Sequence, residues 1–512
     1  MSSVSNSEFE LKLELTPQQL QRVGGNPALE HLTVGKPTTR TLRSVYFDTP
    51  DHRLRAQGIS LRVRSIGDTW VQTIKSGGRG VRNGVSNPDE VETVIGNAEP
   101  DLSQIADSRI RRAIRKAVST STLEPQFETV VTRTTHRLHS DKGDLELALD
   151  EGVVRAGKAE DKLCEAELEL KAGSPECLLE AAAVLFSQEN VRLAEASKAE
   201  RGYNLVLGRQ NGSVVPVKAR IPQLTGDETC ATALGQFAEA ATEQIIANRR
   251  ALLETDDPEA AHQLRIGLRR LRSALRAFRP VSFPTATRDL EQHAKALGQH
   301  VGELRNADVF IESILAPVAG SMKREPGFDE LKGALNAHRI AMREQARASL
   351  EGEQWSKLQL YLALWPRTVA EDSALAKPVR AFAAKALDKG WKKIAKQGEA
   401  LDDLTLEARH DMRKALKGFR YTAEFFGSLY ARGKVEKFVK ELKRLQDVFG
   451  YVNDVATAAE LNQICHNRCS ESREAQRAAG YVLGWHTAQA EHAWKSATKE
   501  WKRLAKQKRF WD

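Results

Sequence analysis

The stretch EFELKLEL, residues 8–15, decides the fold of the N-terminal part of this chain. Alternate side chains of a β-strand face opposite ways, so its apolar residues would share one face and its charged residues the other. An antiparallel sheet with one face in water would explain a single strand of this kind. The other strands show whether that explanation is sufficient.

Later segments repeat the alternation with charges of one sign. Arg62 and Arg64 alternate with apolar residues in SLRVRS, and Glu165, Glu167 and Glu169 do so in CEAELELK. Faces that meet water would not require wholly basic and wholly acidic strands. A closed barrel explains the segregation better, with apolar faces outward beneath helices and charged faces lining the lumen. Buried like charges are costly unless they are bridged, and a divalent cation or phosphates would bridge them.

Composition divides the chain into two parts. Residues 1–200 hold slightly more acidic than basic residues, so the net charge of +9 comes from the strongly basic remainder. Short alternating runs and turn signals give way to Ala-, Leu- and Arg-rich sequence with helical periodicity. We predict an N-terminal domain over 1–207, a linker over 208–222 and a helical domain over 223–512. A basic domain favours a polyanionic partner.

The five cysteines form no obvious disulfide framework, which favours a reducing compartment. No apolar run reaches the roughly 18 residues of a membrane span, and the start lacks the pattern of a signal peptide. We therefore expect a cytoplasmic protein that has no membrane partner.

The N-terminal part resembles the CYTH family, the triphosphate tunnel metalloenzymes, which include class IV adenylyl cyclases, thiamine triphosphatases and inorganic triphosphatases. Residues 8–12 match its ExExK signature. Further blocks follow in the family's order across residues 6–207: YFDTPDHRLRAQGISLRVR, TIKSGG, LELALDEGVVRAG, CEAELELK and SKAERGYNL. The resemblance implies a closed antiparallel barrel of eight strands with flanking helices, in which Mg²⁺ or Mn²⁺ helps to hydrolyse a triphosphate.

The resemblance also implies roles for residues that match the family by position. The expected catalytic residues are Glu8, Glu10, Lys12 and Asp150. The expected metal ligands are Glu8, Glu10, Glu165, Glu167 and Glu169. The expected triphosphate ligands are Lys12, Arg62, Arg64, Lys75, Arg133 and Lys198. Where many relatives carry Arg-Pro-Glu, this chain has NPDE at residues 87–90, so Arg79 or Arg82 in the preceding loop is a candidate for the missing phosphate contact.

The basic part contains a repeat. HQLRIGLRRLR begins at His262 and HDMRKALKGFR begins at His410, 148 residues later. In both, basic residues follow the histidine at offsets 3, 7 and 10, which lie on one face of an α-helix. A solvated stripe would explain either helix alone. The repeated histidine favours an internal duplication whose two stripes merge into one basic surface.

Residues 225–505 resemble the CHAD family, the conserved-histidine α-helical domain, because both histidine blocks, GELRNADV and LQDVFGYVND occur in order. The family is associated with inorganic polyphosphate, and the resemblance implies an all-α domain of two pseudo-symmetric helical bundles. One half of the binding site would be His262, Arg265, Arg269, Arg270, Arg272 and Arg276. The other half would be His410, Arg413, Lys414, Lys417 and Arg420. Glu424 stands where the first copy has Arg276, so the halves are unequal.

Together, the two resemblances predict an Mg²⁺- or Mn²⁺-dependent inorganic triphosphatase that also binds polyphosphate, with polyphosphate granules as a candidate location. Two alternatives stay open: an adenylyl cyclase that acts on ATP, and a non-catalytic polyphosphate-binding scaffold. Nucleic acid is not the expected partner, because the basic stripes lack the interleaved aromatic residues on which bases stack.

Overall fold

The computed structural model describes residues 6–7, 9–67, 69–77, 80–186, 188–208, 214–457 and 459–512. The chain forms two compact units. The first unit comprises Met1–Ser213 and Trp355–Thr368, and the second comprises Val214–Gln354 and Val369–Asp512. The predicted class is confirmed, since an antiparallel sheet with flanking helices is followed by a helical region.

The first unit is built around one antiparallel sheet. Its strands are β1 (Asn6–Ser7), β2 (Phe9–Glu14), β3 (Thr38–Asp48), β4 (Ser60–Ile66), β5 (Thr69–Ser76), β6 (Val85–Ser86), β7 (Asp89–Ile95), β8 (Glu124–Ser140), β9 (Gly143–Ala156), β10 (Ala159–Gly173) and β11 (Arg192–Leu193). Its first helices are α1 (Pro17–Gly24), α2 (Pro27–Leu32), α3 (Arg53–Ala56), α4 (Ser108–Val118), α5 (Pro175–Phe186) and α6 (Lys198–Val206).

The hydrogen-bonded path runs β1-β7-β5-β4-β3-β8-β9-β10-β2-β11, with β6 also paired to β2. Only one residue separates β1 from β2 in the chain, yet they lie towards opposite ends of this path. The sheet must therefore curl until its two ends approach each other. The expectation of a closed barrel of eight strands is wrong in this detail. Closure needs a continuous ladder, and among the described residues the pairing joins eleven strands into a curled sheet whose end strands are only two residues long.

The alternation in β2 places its two faces as the sequence indicated. Leu11 and Leu13 are fully buried on one face. On the other face, Glu10 is 5% exposed and Lys12 is 8% exposed, so the charged face does not meet water. The explanation by a solvated charged face is therefore wrong for this strand, and the explanation by a charged lumen is the one that its burial supports.

Asp48, at the end of β3, is a buried acceptor that shapes one end of the sheet. Its carboxylate accepts hydrogen bonds from the backbone N–H groups of Thr49, Leu54 and Arg55 and from the hydroxyl of Tyr203 in α6. A buried carboxylate is stable only when its oxygens are satisfied. Asp48 therefore ties the turn after β3 to the helix that carries Lys198.

The helices that follow in the chain are α7 (Cys230–Glu254), α8 (Pro258–Phe278), α9 (Thr285–Val309), α10 (Ala316–Ser321), α11 (Phe328–Glu351), α12 (Glu353–Ala370), α13 (Val379–Glu399), α14 (Leu406–Phe426), α15 (Arg432–Thr457), α16 (Ala459–Cys469) and α17 (Arg473–Ala505). Most of α12 belongs to the first unit. In the second unit, α8 packs against α7, α9 and α14, and α14 packs against α13 and α15. Both histidine helices have 21 residues and similar neighbours, as a duplication predicts. None of the described helices is long and apolar enough to cross a membrane.

Gly202 in α6 is the position where this packing leaves no room for a side chain. A Cβ there would lie 2.1 Å from the ring of Phe127, which stacks on Tyr46. We expect Gly202→Ala to destabilise the first unit by roughly 1–3 kcal/mol through overpacking. Gly235→Ala is the control, because a Cβ at this α7 position has open space and should gain up to ~1 kcal/mol of helix propensity. Calorimetric unfolding of both variants checks the prediction, and an unchanged first-unit transition in Gly202→Ala would contradict it.

Candidate functional site

The curled sheet of the first unit surrounds a cavity of about 1010 Å³. The predicted site residues that line it are Glu10, Lys12, Arg62, Arg64, Lys75, Arg133, Glu167, Glu169 and Lys198. Asp150 and Glu165 are buried and contact the ammonium of the same Lys198. Glu8 lies outside the described residues. Except for Glu165, which contacts the lining residue Lys198, every described residue that the sequence placed in the metal and triphosphate sites lines this cavity.

Three carboxylates form a cluster on the neighbouring strands β9 and β10. Asp150, Glu165 and Glu167 offer oxygens that all lie within 4.8 Å of one another. Lys198 Nζ lies 2.9 Å from Asp150 Oδ2, 2.7 Å from Glu165 Oε2 and 2.9 Å from Glu167 Oε1. Hard divalent cations bind carboxylate oxygens in such groups. Sequence analysis gave Asp150 a catalytic role only, whereas the register between the two strands places it directly opposite Glu165 in this cluster.

Glu167 contacts three cations. Its Oε1 lies 2.6 Å from Lys12 Nζ and 2.9 Å from Lys198 Nζ, and its Oε2 accepts a hydrogen bond from Arg133 Nη2. Burial opposes ionisation, but Lys12, Lys198 and Arg133 outweigh it and hold the pKa of Glu167 well below its ordinary value. In the same way, burial disfavours the charged ammonium, but Glu167 and Asp150 raise the pKa of Lys198 well above its ordinary value. These charges are therefore all present at neutral pH.

Asp150 is oriented by Arg133 through two parallel hydrogen bonds, Nε to Oδ1 at 2.7 Å and Nη2 to Oδ2 at 2.6 Å. Such bidentate pairs fix both partners in position. Burial alone would raise the pKa of Asp150, but Lys198 and Arg133 lower it. Arg133 therefore links the carboxylate cluster to the cavity that it lines.

Glu10 and Glu169 lie at the edge of this cluster. Glu10 Oε2 is 3.0 Å from Lys12 Nζ, while Glu10 Oε1 is buried and accepts no hydrogen bond from the described residues. A buried carboxylate oxygen without a donor fits a residue that binds a cation. Glu169 pairs instead with Lys171 at 2.6 Å, and burial raises its pKa. The residues present therefore fit a divalent cation, with Glu10 better placed than Glu169 to bind it.

The opposite wall is basic and comes from β4 and β5. Arg64 Nε donates to Ser44 Oγ at 3.0 Å. Arg62 beside it, together with burial, lowers the pKa of Arg64 to about 10, so both guanidinium groups stay protonated at neutral pH. Two adjacent, half-buried cations repel each other, and an anion that contacts both would relieve this repulsion. Glu90 was not among the predicted site residues, yet it lines the cavity and pairs with Lys75. Of the candidates for the missing contact, Arg82 is exposed and Arg79 lies outside the described residues.

In the second unit, the two basic stripes meet because α8 packs against α14. Tyr421 of α14 lies between them, with the guanidinium of Arg269 5.7 Å and that of Arg420 5.2 Å from its ring centre. Arg270 is only 4% exposed, and its Nη1 lies 3.5 Å from Glu424 Oε2. The cation–aromatic contact favours this packing, and the half-buried Glu424 supplies a partner for the charge of Arg270. Arg270 of α8 therefore helps to join the two copies, whereas the contacts of Arg420 with Tyr421 and Glu424 lie within α14.

The remaining stripe residues differ in exposure. Half-buried residues are His262, Arg265, Arg269, Arg272, Arg413 and Lys417. Exposed residues are Arg276, His410 and Lys414. Arg276 pairs with Glu291 and Lys414 pairs with Asp411, so these two already have acidic partners on the surface.

Arg305 of α9 is a basic residue that the sequence analysis did not assign. Burial and the nearby Arg305 lower the pKa of His262, which places both residues in one group. Asp308, one turn further on, is fully buried, and burial raises its pKa to about 6. Both residues lie in the GELRNADV block. Its position 40 residues after the histidine, as in the second copy, was a signal that could have identified them.

Glu167→Gln tests the charge network of the first unit through pH. Because the folded pKa of Glu167 is lowered, its contribution to stability is complete above its ordinary pKa near 4.5 and is lost as pH falls below it. We expect the variant to be less stable by roughly 3–5 kcal/mol at pH 7, since three cations lose a partner. Its first-unit unfolding temperature should then depend less steeply on pH below about 5 than that of the wild type.

Glu169→Gln, on the same strand, is the matched control for this measurement. Burial raises the pKa of Glu169, so its ionised form weakens folding at neutral pH, and removing the charge should leave stability at pH 7 equal or higher. Calorimetry from pH 3 to pH 7 compares the two variants. Equal destabilisation at pH 7 would show that Glu167 does not have the special position assigned to it.

Comparisons with known proteins were made for the whole chain. Residues 6–203 match the model of the CYTH domain, and residues 236–463 match the model of the CHAD domain. An inorganic triphosphatase of Haemophilus influenzae is 30% identical over 210 residues, which cover 40% of this chain and 56% of that protein. The chain therefore spans about half the length of this curated relative.

Two solved structures were also found to be similar. The CHAD domain from the plant Ricinus communis is 27% identical, with a TM-score of 0.51, and the match covers 57% of this chain and 98% of that domain. A Hippeastrum protein described by a dominant triphosphatase activity is 23% identical, with a TM-score of 0.29, over 40% of this chain and 97% of its own. The similarity to the Ricinus communis domain supports the fold of the helical region. A TM-score of 0.29 supports no conclusion about this chain.

Proposed function

The chain carries a CYTH domain followed by a CHAD domain, and we propose that it is a metal-dependent inorganic triphosphatase that also binds inorganic polyphosphate. Hydrolysis is assigned to residues 1–207 and polyphosphate binding to residues 223–512. We also propose a cytoplasmic location, with association to granules wherever polyphosphate accumulates.

One observation carries the triphosphatase proposal. The cavity of about 1010 Å³ is lined on one side by carboxylates, among them Glu167 of the buried cluster, and on the other by the Arg62–Arg64 pair. A triphosphate complexed with a divalent cation presents both charges that such walls complement. The inorganic triphosphatase of Haemophilus influenzae supports the same substrate, although the match covers only part of each chain.

In the proposed reaction, Asp150, Glu165, Glu167 and the free oxygen of Glu10 would hold Mg²⁺ or Mn²⁺. The bound ion would neutralise phosphate charge and polarise the phosphoanhydride bond. The other residues act by position, because phosphoryl transfer depends on orientation and charge neutralisation more than on covalent catalysis.

The basic groups would bind the phosphate chain. Arg62, Arg64 and Lys75 face the cavity from β4 and β5, and Lys12 and Arg133 face it from the acidic side. Lys12 and Arg133 are already held in place by Glu167, so they are preorganised for a ligand. Preorganised cations stabilise the charge that develops on phosphate oxygens without the cost of reorganising solvent.

Glu10→Gln tests the barrel activity. The change removes one metal-binding charge with little change in volume, so we expect turnover of triphosphate at saturating Mg²⁺ to fall at least ~100-fold with the fold retained. Arg64→Ala should chiefly raise KM. Glu160→Gln, on an exposed part of the strand that carries Glu165, is the control and should keep full activity. The assay is orthophosphate release from triphosphate, ATP, thiamine triphosphate and long polyphosphate.

Each outcome of this assay has a meaning. Near-normal hydrolysis by Glu10→Gln would refute the metal assignment. Formation of cyclic AMP from ATP in place of orthophosphate would identify a cyclase. An absence of turnover in the wild type with any substrate, with polyphosphate still bound, would favour the scaffold.

The helical proposal is tested by reversing both stripes. Changing Arg265, Arg269, Arg413 and Lys417 to Glu should abolish polyphosphate binding, and changing either pair alone should cause a large partial loss. Fewer phosphate contacts release fewer counterions, so the salt dependence of the remaining affinity should also become weaker. Affinity is measured at several salt concentrations, with RNA as a competing ligand.

The matched control reverses four exposed lysines at the end of α17, which are Lys495, Lys499 and Lys502 within the helix and Lys506 directly after it. It changes the net charge by the same amount as the four-residue stripe variant, so nonspecific attraction falls equally. Triphosphate turnover should stay close to normal in both proteins. Unchanged polyphosphate affinity in the stripe variant, or an equal loss in the control, would show that the stripes are ordinary solvated surface.

A further inference from the structure

Glu90 occupies a position in the cavity that follows from strand register. In the pairing of β5 with β7, Lys75 lies directly opposite Glu90 and Thr73 lies opposite Glu92. In the pairing of β4 with β5, Arg62 lies opposite Thr73. Side chains at such positions share one face of the sheet. Glu90 is therefore placed on the cavity side, directly beside Lys75 and one row away from Arg62.

The contacts agree with this register. Glu90 Oε2 lies 2.7 Å from Lys75 Nζ, and Glu90 Oε1 lies 3.4 Å from Arg62 Nη2. The Glu90 side chain is 10% exposed. Charge pairs in such a partly enclosed place are screened much less than pairs on the surface. A carboxylate that bridges two cations uses the same donors that a phosphate would need.

We propose that Glu90 is an internal competitor of phosphate, which keeps single phosphate ions out of the cavity. The inference rests on the proposed function in taking phosphate anions as the ligands. Any ligand that uses Arg62 and Lys75 must first displace the Glu90 carboxylate, and that cost is the same for a short or a long chain. Orthophosphate has few other contacts with which to offset it.

A triphosphate can offset the same cost because it extends to further cations. Arg64 bonds to Ser44 and lies beside Arg62, which lowers its pKa and shows the mutual repulsion of the two guanidinium groups. A ligand that reaches Arg64 relieves this repulsion. Because the Glu90 carboxylate must be displaced, an anion binds appreciably only when it also contacts further cations. Glu90 thus limits inhibition by the orthophosphate that hydrolysis releases.

Glu92 is the natural comparison, because it lines the same cavity two residues further along β7. Its side chain is 56% exposed, its Oε1 lies 3.9 Å from Arg62 Nη2, and it accepts a hydrogen bond from Thr73 Oγ1 at 3.0 Å. Solvent screening makes an exposed charge at that distance a weak competitor. Glu90 and Glu92 therefore carry the same carboxylate but differ in how closely it approaches Arg62.

The experiment compares the full-length wild type, Glu90→Gln and Glu92→Gln. Orthophosphate binding is measured by titration calorimetry without added metal, so the result does not depend on turnover. We expect orthophosphate to bind at least about tenfold more tightly to Glu90→Gln, and Glu92→Gln to stay within about twofold of the wild type. Where triphosphate is hydrolysed, the inhibition constant of orthophosphate should fall by a similar factor.

Competition by Glu90 and structural support by Glu90 predict opposite changes in orthophosphate affinity. If Glu90 only holds Arg62 and Lys75 in place, Glu90→Gln will bind orthophosphate more weakly than the wild type, and the proposal is overturned. Equal orthophosphate affinity in all three proteins overturns it as well. If Glu90→Gln does not fold, Glu90→Asp keeps the charge but shortens its reach, and it should bind orthophosphate two- to fivefold more tightly. Tighter binding without any triphosphate hydrolysis would leave this inference standing and refute the proposed activity.

Discussion

The structure of the first unit depends on one constraint: charges that face a lumen must be neutralised by other charges within it. Lys12, Arg133 and Lys198 meet Asp150, Glu165 and Glu167 at distances of hydrogen bonds. Removing one partner of such a network is more costly than losing a surface pair, because the remaining charges stay buried. The neighbouring strands β2, β9 and β10 bring most of these charges together, and a different strand order would leave them buried without partners.

The same constraint explains why the cavity suits a polyanion with a cation. On the acidic wall, each ammonium or guanidinium is already held by carboxylates, so its position is set before any ligand arrives. On the basic wall, Arg62 and Arg64 repel each other, and Glu90 compensates only in part. A ligand therefore exchanges internal ion pairs for its own contacts. The free energy of binding is the difference between the two sets.

In the second unit, the electrostatic constraint is repulsion between neighbouring basic side chains. Its basic stripes run along helices that pack together, so cations come close to one another at the contact between α8 and α14. Tyr421 and Glu424 separate and pair them there. Arg270 of α8 and Glu424 of α14 are accordingly part of the contact between the copies. The unequal halves of the repeat thus have a structural cause.

Local periodicity was enough to predict much of this protein. The alternation in residues 8–15, the wholly acidic and wholly basic strands, and the histidine repeat depend only on neighbouring residues, and they predicted the class of each region and a charged lumen. The individual site residues were predicted from the family resemblance. Long-range register was not predictable in this way. The sequence pattern could not show that Asp150 lies opposite Glu165, that Glu90 lies opposite Lys75, or that the ladder stays open.

Nor could it show that residues 355–368 pack with the first unit. The physical reason is the same in each case. Side-chain period within an element is dictated by backbone geometry, whereas the partner of an element is selected by packing and charge compensation between segments far apart in the chain.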